Sequence, residues 1–200
     1  MLHAKQLDFP SHGGRRAGAG RPRGSRVSHA QRPRFGKSLP AHVTLRVESH
    51  VWNLRSGRCF KALKGAFAGS RGRFGMRLIE FAVLGNHLHL IVEADQTASL
   101  SRGMQGLNIR IARALNRVMR RRGRVFADHY HERLLTTPAE LVNAIGYVLG
   151  NAAHHYRGPQ DDPFSSARAR DLLAAPLGWL LRSGWHRAKR VPHWMRTLRD

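Results

Sequence analysis

The sequence predicts an α+β fold, one antiparallel sheet with helices packed on it, and three observations predict it. His42-Val43-Thr44-Leu45-Arg46-Val47-Glu48 alternates polar and apolar residues with period two, as a half-buried strand does. Two apolar runs, Arg77 to Leu84 and His87 to Glu93, are separated only by Gly85-Asn86, residues that tolerate the positive backbone dihedrals of a tight turn. Two further segments, one on each side of this hairpin, carry apolar residues at the three-to-four spacing of amphipathic helices.

Taken in order, residues 1–40 are rich in Gly, Pro, Arg and Ser and have almost no apolar periodicity. Such a stretch cannot bury enough surface to offset the entropy of ordering it, so a flexible basic arm is expected. Within it, Gly20-Arg21-Pro22-Arg23-Gly24 resembles an AT-hook core. Arg21 and Arg23 would enter a narrow A·T minor groove, or else act as a generic phosphate-binding tail. After the strand at 42–48 and a linker, Phe60, Leu63, Ala66 and Phe67 mark the first helix, and the hairpin follows. Residues 99–122 are expected to form a long helix, with Met104, Leu107, Ile111, Leu115 and Val118 on one stripe, Arg113, Arg117 and Arg120 on another, and Gly123 as its stop. Val125 to Leu135 is expected to be a strand. Thr137-Pro138-Ala139-Glu140 then opens a last helix with a capping hydroxyl, a proline in the first turn and an acid behind it. Leu141, Ile145, Val148 and Leu149 face inward along that helix, to about Ala153. The order strand, helix, strand, strand, helix, strand is the ferredoxin-like split arrangement, here with an added helix. The organisation is therefore a basic arm at 1–40, a core domain at 41–157, and an extension at 158–200 that Trp179, Trp185 and Trp194 are expected to pack.

Composition narrows the function. The 200 residues include 35 Lys and Arg against 12 Asp and Glu, a formal net charge of +23, so a polyanion is the expected partner. A membrane span needs about 18 or more consecutive apolar residues, and none is present. Met1 to Pro10 has no continuous apolar segment of the secretory kind, which points to a cytoplasmic, nucleoid-associated location. Cys59 stands alone, so a metal must be held by His, carboxylate or amide groups.

His87 and His89 lie two apart on a strand and so share one face, while Leu88, Leu90 and Val92 share the other. Paired imidazoles can ligate one divalent cation through neutral ring nitrogens; the alternative is polar strand surface. Tyr147 and Asn151 are about one helical turn apart. If that helix crosses the open face of the sheet, Asn151 can add an oxygen ligand while Tyr147 points at a metal-bound phosphate. The alternative is a core tyrosine with a C-cap asparagine. Tyr130, between His129 and His131, is the fallback nucleophile, and Tyr156 is expected on the opposite side of the last helix.

Together NHLHLIVE (Asn86 to Glu93), the Arg-rich helix, VFADHYHERLL (Val125 to Leu135) and YVLGN (Tyr147 to Asn151) resemble the HUH single-strand transposases of the insertion-sequence 200 type, and among them the REP-associated tyrosine transposases. The resemblance spans roughly residues 41–156. It implies His87 and His89 as a metal-binding pair, Asn151 as third ligand, Tyr147 as nucleophile, Mg²⁺ or Mn²⁺ as cofactor, and hairpin-containing single-stranded DNA as substrate. The expected activity is metal-dependent DNA cleavage and strand transfer through a 5′-phosphotyrosine, by a monomer or homodimer. Ala152 departs from the proline common in that subgroup. Arg113, Arg117, Arg120, Arg121 and Arg122 are expected to hold the phosphate backbone. Two other classes remain: a domesticated relative that binds DNA or RNA hairpins without cutting them, and a purely electrostatic nucleic-acid-binding protein.

Overall fold

The computed structural model describes residues 33–156 and 162–192; Arg21, Arg23 and Trp194 lie outside them. The elements are β1 (Leu39–Arg46), α1 (Gly57–Ala68), β2 (Met76–Val83), β3 (His87–Ala94), α2 (Thr97–Val118), β4 (His131–Leu134), α3 (Pro138–Tyr156) and the short α4 (Trp179–Arg182). The four strands pair antiparallel in the order β2-β3-β1-β4. Each of the β1-α1-β2 and β3-α2-β4 units therefore straddles a strand of the other. That interleaving is the ferredoxin-like arrangement, with α3 added after β4.

Strand alternation divides the interior in two. Ala41, Val43 and Leu45 of β1 and Leu88, Leu90 and Val92 of β3 bury one face of the sheet against Leu63 and Phe67 of α1 and Leu100, Met104, Leu107, Ile111 and Leu115 of α2. On the other face Ile79, Ala82 and Ile91 meet Leu141, Ile145, Val148 and Leu149 of α3, together with Leu180, Leu181 and Trp185. The centre of that second face, at the β1 and β3 polar positions, is where the functional side chains stand.

Three boundaries differ from the sequence expectation, each for a local reason. β1 begins at Leu39, and the residues just before it are tied down, because Phe35 packs on the core and exchanges hydrogen bonds with Thr97 (Phe35 N to Thr97 Oγ1 2.8 Å, Thr97 N to Phe35 O 3.2 Å). The α2 helix ends at Val118 and not at Gly123. Arg120 takes a left-handed φ of 51°, Arg121 N donates to Asn116 O at 2.9 Å, and Arg120 N donates to Arg117 O at 3.2 Å. This is a Schellman stop with arginine in the seat usually held by glycine. Arg120, Arg121 and Arg122 consequently leave the helical stripe for the turn. Finally, of residues 125–135 only His131–Leu134 form a strand. Phe126 makes an isolated bridge to Val47, and the chain then bends at Asp128, whose carboxylate accepts from His129 N.

The C-terminal segment is fastened mainly by buried carboxylates. Asp162 takes both terminal nitrogens of Arg55 at 2.8 Å. Glu80 accepts from Ser166 and from Arg170 Nη1 (2.9 Å). Glu93, fully buried, accepts from Arg77 Nε (2.7 Å), Leu177 N (2.8 Å) and Gly178 N (2.7 Å). A Cβ on Gly178 would stand 2.6 Å from a Glu93 oxygen, so glycine alone allows that approach. Of the tryptophans expected to pack this segment, Trp185 does so at 2% exposure, whereas Trp179 is 53% exposed. Removing one partner from a buried ion pair leaves the other uncompensated, so Glu93→Ala is expected to lower unfolding stability by about 3–5 kcal/mol in urea titrations.

Candidate active site

Helix α3 begins where the local sequence dictates. Glu140 N donates to Thr137 Oγ1 at 3.2 Å while Thr137 N donates back to the Glu140 carboxylate at 3.2 Å, a reciprocal capping box ahead of Pro138. From that start the apolar stripe turns Leu141, Ile145, Val148 and Leu149 onto the sheet. Tyr147 lies beside this stripe, 53% exposed, and Asn151 lies one turn on, 4% exposed.

The helix crosses the polar positions of β1 and β3. The His87 and His89 rings are 4.9 Å apart between centroids, and the Tyr147 ring meets His89 edge-on at 5.2 Å. One side chain that sequence reasoning missed completes the group. His42, from β1, lies 5.2 Å from the His89 ring and 5.7 Å from the Tyr147 ring. Its Nε2 is 3.1 Å from His89 Nδ1, and Thr44 Oγ1 is 3.2 Å from the same nitrogen. The period-two pattern of β1 had placed His42 and Thr44 on the polar face, but only the strand register, with Thr44 opposite His89, brings them to the pair.

Hydrogen-bond accounting shows which atoms could bind a cation. Asn86 Oδ1 lies 2.8 Å from His87 Nδ1. A carbonyl oxygen only accepts, so the His87 proton sits on Nδ1 and Nε2 keeps its lone pair. His89 Nε2 at this site and Asn151 Oδ1, one helical turn beyond Tyr147, are both buried without a hydrogen-bond partner. Such orphans cost about 1–3 kcal/mol each unless something outside the chain satisfies them. No three His, Cys, Asp or Glu side chains group as metal ligands among the described residues. The fit thus rests on two imidazoles and an amide oxygen, donors suited to a divalent first-row ion.

The rings are held in the ligating form. Burial pushes the His89 pKa from 6.5 down to about 3, with help from the neighbouring His42, His87 and His155. His87 is lowered by burial, then by His155 and Arg46, and His42 by burial, then by His131 and Arg133.

Other expected residues are not gathered here. Tyr130 belongs to the core on the α1 and α2 side of the sheet, 7% exposed and outside any strand, which removes it as an alternative nucleophile for the histidine pair. Tyr156 ends α3, where its hydroxyl accepts from Gly85 N (2.9 Å) and its ring carries the Arg55 guanidinium at 4.3 Å. The helix reaches that far because alanine, not proline, follows Asn151. Arg113 and Arg117 are exposed on α2, across the sheet from the histidines. The helices α1 and α2 and their flanks, residues 49–75 and 96–127, contain no Asp or Glu, so that layer is uniformly basic. Arg120, Arg121 and Arg122 lie in the turn after α2. The next residues pair with the end of β1, near a cleft of about 720 Å³ lined by Thr44, Arg46, Glu48, Asn86, Asp128 and His131 among others.

With this geometry in place, comparison with known proteins is informative. The family model described as "Transposase IS200 like" matches residues 37–133. Over that stretch, just under half of the chain, the sequence is similar to the IS200-like transposases. The match takes in His42, His87, His89 and the arginines of α2 and stops before α3. A solved REP-associated tyrosine transposase bound to a REP hairpin superposes with a TM-score of 0.60 at 16% identity, covering 83% of this chain and 99% of the other. The fold is therefore shared. A putative transposase from Deinococcus radiodurans aligns at 13% identity over 56% of this chain and 86% of its own, with a TM-score of 0.41. No curated protein matches the sequence.

Because His89 is neutral when folded and protonates at 6.5 when unfolded, the unfolded chain binds more protons between about pH 6.5 and 3. Stability of the metal-free chain is therefore expected to fall as pH drops through that window, with a shallower fall in His89→Gln. Urea midpoints measured from pH 7 to pH 4 in the presence of EDTA check this.

Proposed function

We propose that this chain cleaves single-stranded DNA and transfers the strand, with Tyr147 as nucleophile and with His87, His89 and Asn151 as the ligands of a Mg²⁺ or Mn²⁺ ion. The observation that carries the reading is the meeting of the exposed Tyr147 ring with His89, whose Nε2 is a buried acceptor without a partner, as is Asn151 Oδ1. The similarity of residues 37–133 to IS200-like transposases supports DNA processing in general.

A phenol ionises only near pH 10 and is a weak nucleophile at neutral pH. A divalent cation at this site would supply Lewis-acid polarisation of the scissile phosphate. The chain's own residues do the rest. The edge contacts of His42 and His89 hold the Tyr147 ring in one orientation toward solvent, where a DNA strand can reach it. The phenolic oxygen bonds to phosphorus as the bond from phosphorus to the 3′ oxygen breaks. The phenolic proton passes to solvent, and the departing 3′ oxygen takes one up. The products are a 5′-phosphotyrosine and a 3′-hydroxyl, and attack by another 3′-hydroxyl reverses the step and joins strands.

For the substrate, the relative's complex with a REP hairpin supports a hairpin-bearing DNA. Arg120, Arg121 and Arg122 would hold phosphates from the turn after α2, and Arg113 and Arg117 would continue the grip around the basic helical layer.

Labelled single-stranded hairpin DNA with Mn²⁺, resolved on denaturing gels, tests the reading. Tyr147→Phe is expected to abolish the covalent adduct and to leave hairpin affinity within about threefold, and His87→Ala or His89→Ala should remove both the adduct and its dependence on Mn²⁺. An adduct that forms in EDTA or survives Tyr147→Phe would refute the scheme. Hairpin binding by the unaltered chain with no adduct would select the non-cleaving alternative.

A further inference from the structure

We propose that His42 is a positioning residue that holds the His89 ring in its Nδ1–H form, so that Nε2 presents a lone pair to the cation site. The inference rests on the functional reading above and deepens it. The family comparison and the sequence pattern assign His42 no role.

The case is one of proton bookkeeping in a closed space. A neutral imidazole has one N–H and one lone pair, and the environment decides which nitrogen has which. His89 Nε2 has no partner within the described residues in either form, and only the form with the proton on Nδ1 gives that atom a lone pair that a cation can satisfy. On Nδ1 the same proton faces two acceptors, His42 Nε2 at 3.1 Å and Thr44 Oγ1 at 3.2 Å. The two are not equivalent. A hydroxyl donates as readily as it accepts, so Thr44 can bond either form of His89 and selects neither. His42 Nε2 accepts from His89 Nδ1–H when His42 carries its own proton on Nδ1, and this pairing of tautomers, unlike a rotating hydroxyl, favours one form of His89; it is the arrangement proposed for the 3.1 Å contact. This is the arrangement found around metal-binding histidines, whose second ring nitrogen donates to a fixed partner that orients the ring. Here the partner comes from the neighbouring strand. His42 faces Ile91 in the register, one pleat along from the Thr44 and His89 pair, and its ring leans over to His89 and touches Tyr147 as well. Side chains two residues apart on a strand lie on one face, so both contacts to His89 Nδ1 come from a single strand of fixed register.

Two substitutions in the full-length chain separate the acceptor from the ring. His42→Phe keeps a ring of similar shape against Tyr147 and loses the acceptor, while His42→Gln can place a carbonyl oxygen near the position of Nε2. In metal-free protein, long-range ¹H–¹⁵N spectra of the imidazoles report which His89 nitrogen is protonated. Titration with Mn²⁺ alone, followed by electron paramagnetic resonance, reports affinity. The unaltered chain is expected to show His89 protonated on Nδ1. His42→Phe should mix the two forms and weaken Mn²⁺ binding by about 10- to 100-fold, and His42→Gln should restore both to within about threefold. Circular dichroism melting curves identify a variant that fails to fold, in which case the comparison runs between His42→Gln and the unaltered chain. An Nε2–H signal for His89 in the unaltered chain, or a single Nδ1–H signal with full Mn²⁺ affinity in folded His42→Phe, would overturn the proposal. Because the spectra need neither metal nor DNA, they separate the two ideas. Loss of selection in His42→Phe supports the role of His42 even where no adduct forms, whereas an adduct formed with normal metal dependence by His42→Phe counts against His42 alone.

Discussion

The alternation of β3 is the constraint from which the rest of the molecule follows. Leu88, Leu90 and Val92 must go into the core beneath α1 and α2, and with a period of two that choice commits His87 and His89 to the other face. A slip of one residue would bury two imidazoles under the helical layer and expose three aliphatic side chains. Hydrophobic burial on one side of the sheet thus sets where polar chemistry stands on the other.

That other face is only partly apolar, and α3 has to cover it without smothering the histidines. Its stripe of Leu141, Ile145, Val148 and Leu149 packs toward Ile79, Ala82 and Ile91, leaving Tyr147 at the boundary between the packed region and solvent. The segment after residue 162 finishes the layer with Leu180, Leu181 and Trp185 and is locked by Asp162, Glu80 and Glu93, each bonded across to an arginine or to backbone amides. In a chain of net charge +23, three of the few carboxylates are spent as buried fasteners. The helical layer on the far side is left with no acid at all, and the protein is electrostatically two-sided as a result. Burial has an opposite consequence at the candidate active site, where it holds the histidines neutral despite the dense positive charge around them.

The proposed chemistry draws on both properties. Neutral, desolvated imidazoles with one free lone pair suit a divalent cation, and a phenol half in solvent suits a strand arriving from outside. The basic layer and the arginine turn after α2 would hold a polyanion whose scissile bond reaches the opposite face around the end of the sheet. The Schellman stop at Arg120 moves three arginines off the helical stripe and into the turn that follows it.

The sequence by itself determined the order of elements, the place of the hairpin at Gly85-Asn86 (although neither residue takes the positive φ that its type allows), the capped start of α3 and the face on which His87 and His89 lie. These are all consequences of local periodicity, turn chemistry and charge. Boundaries such as the end of α2 were less legible, because a left-handed arginine does there what glycine was expected to do three residues later. The short length of β4 was not legible either, since pairing partners and not propensity ended it. Only tertiary structure decided that Tyr147 meets His89, that Tyr130 is shut into the opposite core, and that His42 reaches His89 Nδ1. Those facts depend on strand register and on the angle at which α3 crosses the sheet, quantities set by packing between residues up to about a hundred positions apart that no short window of sequence contains.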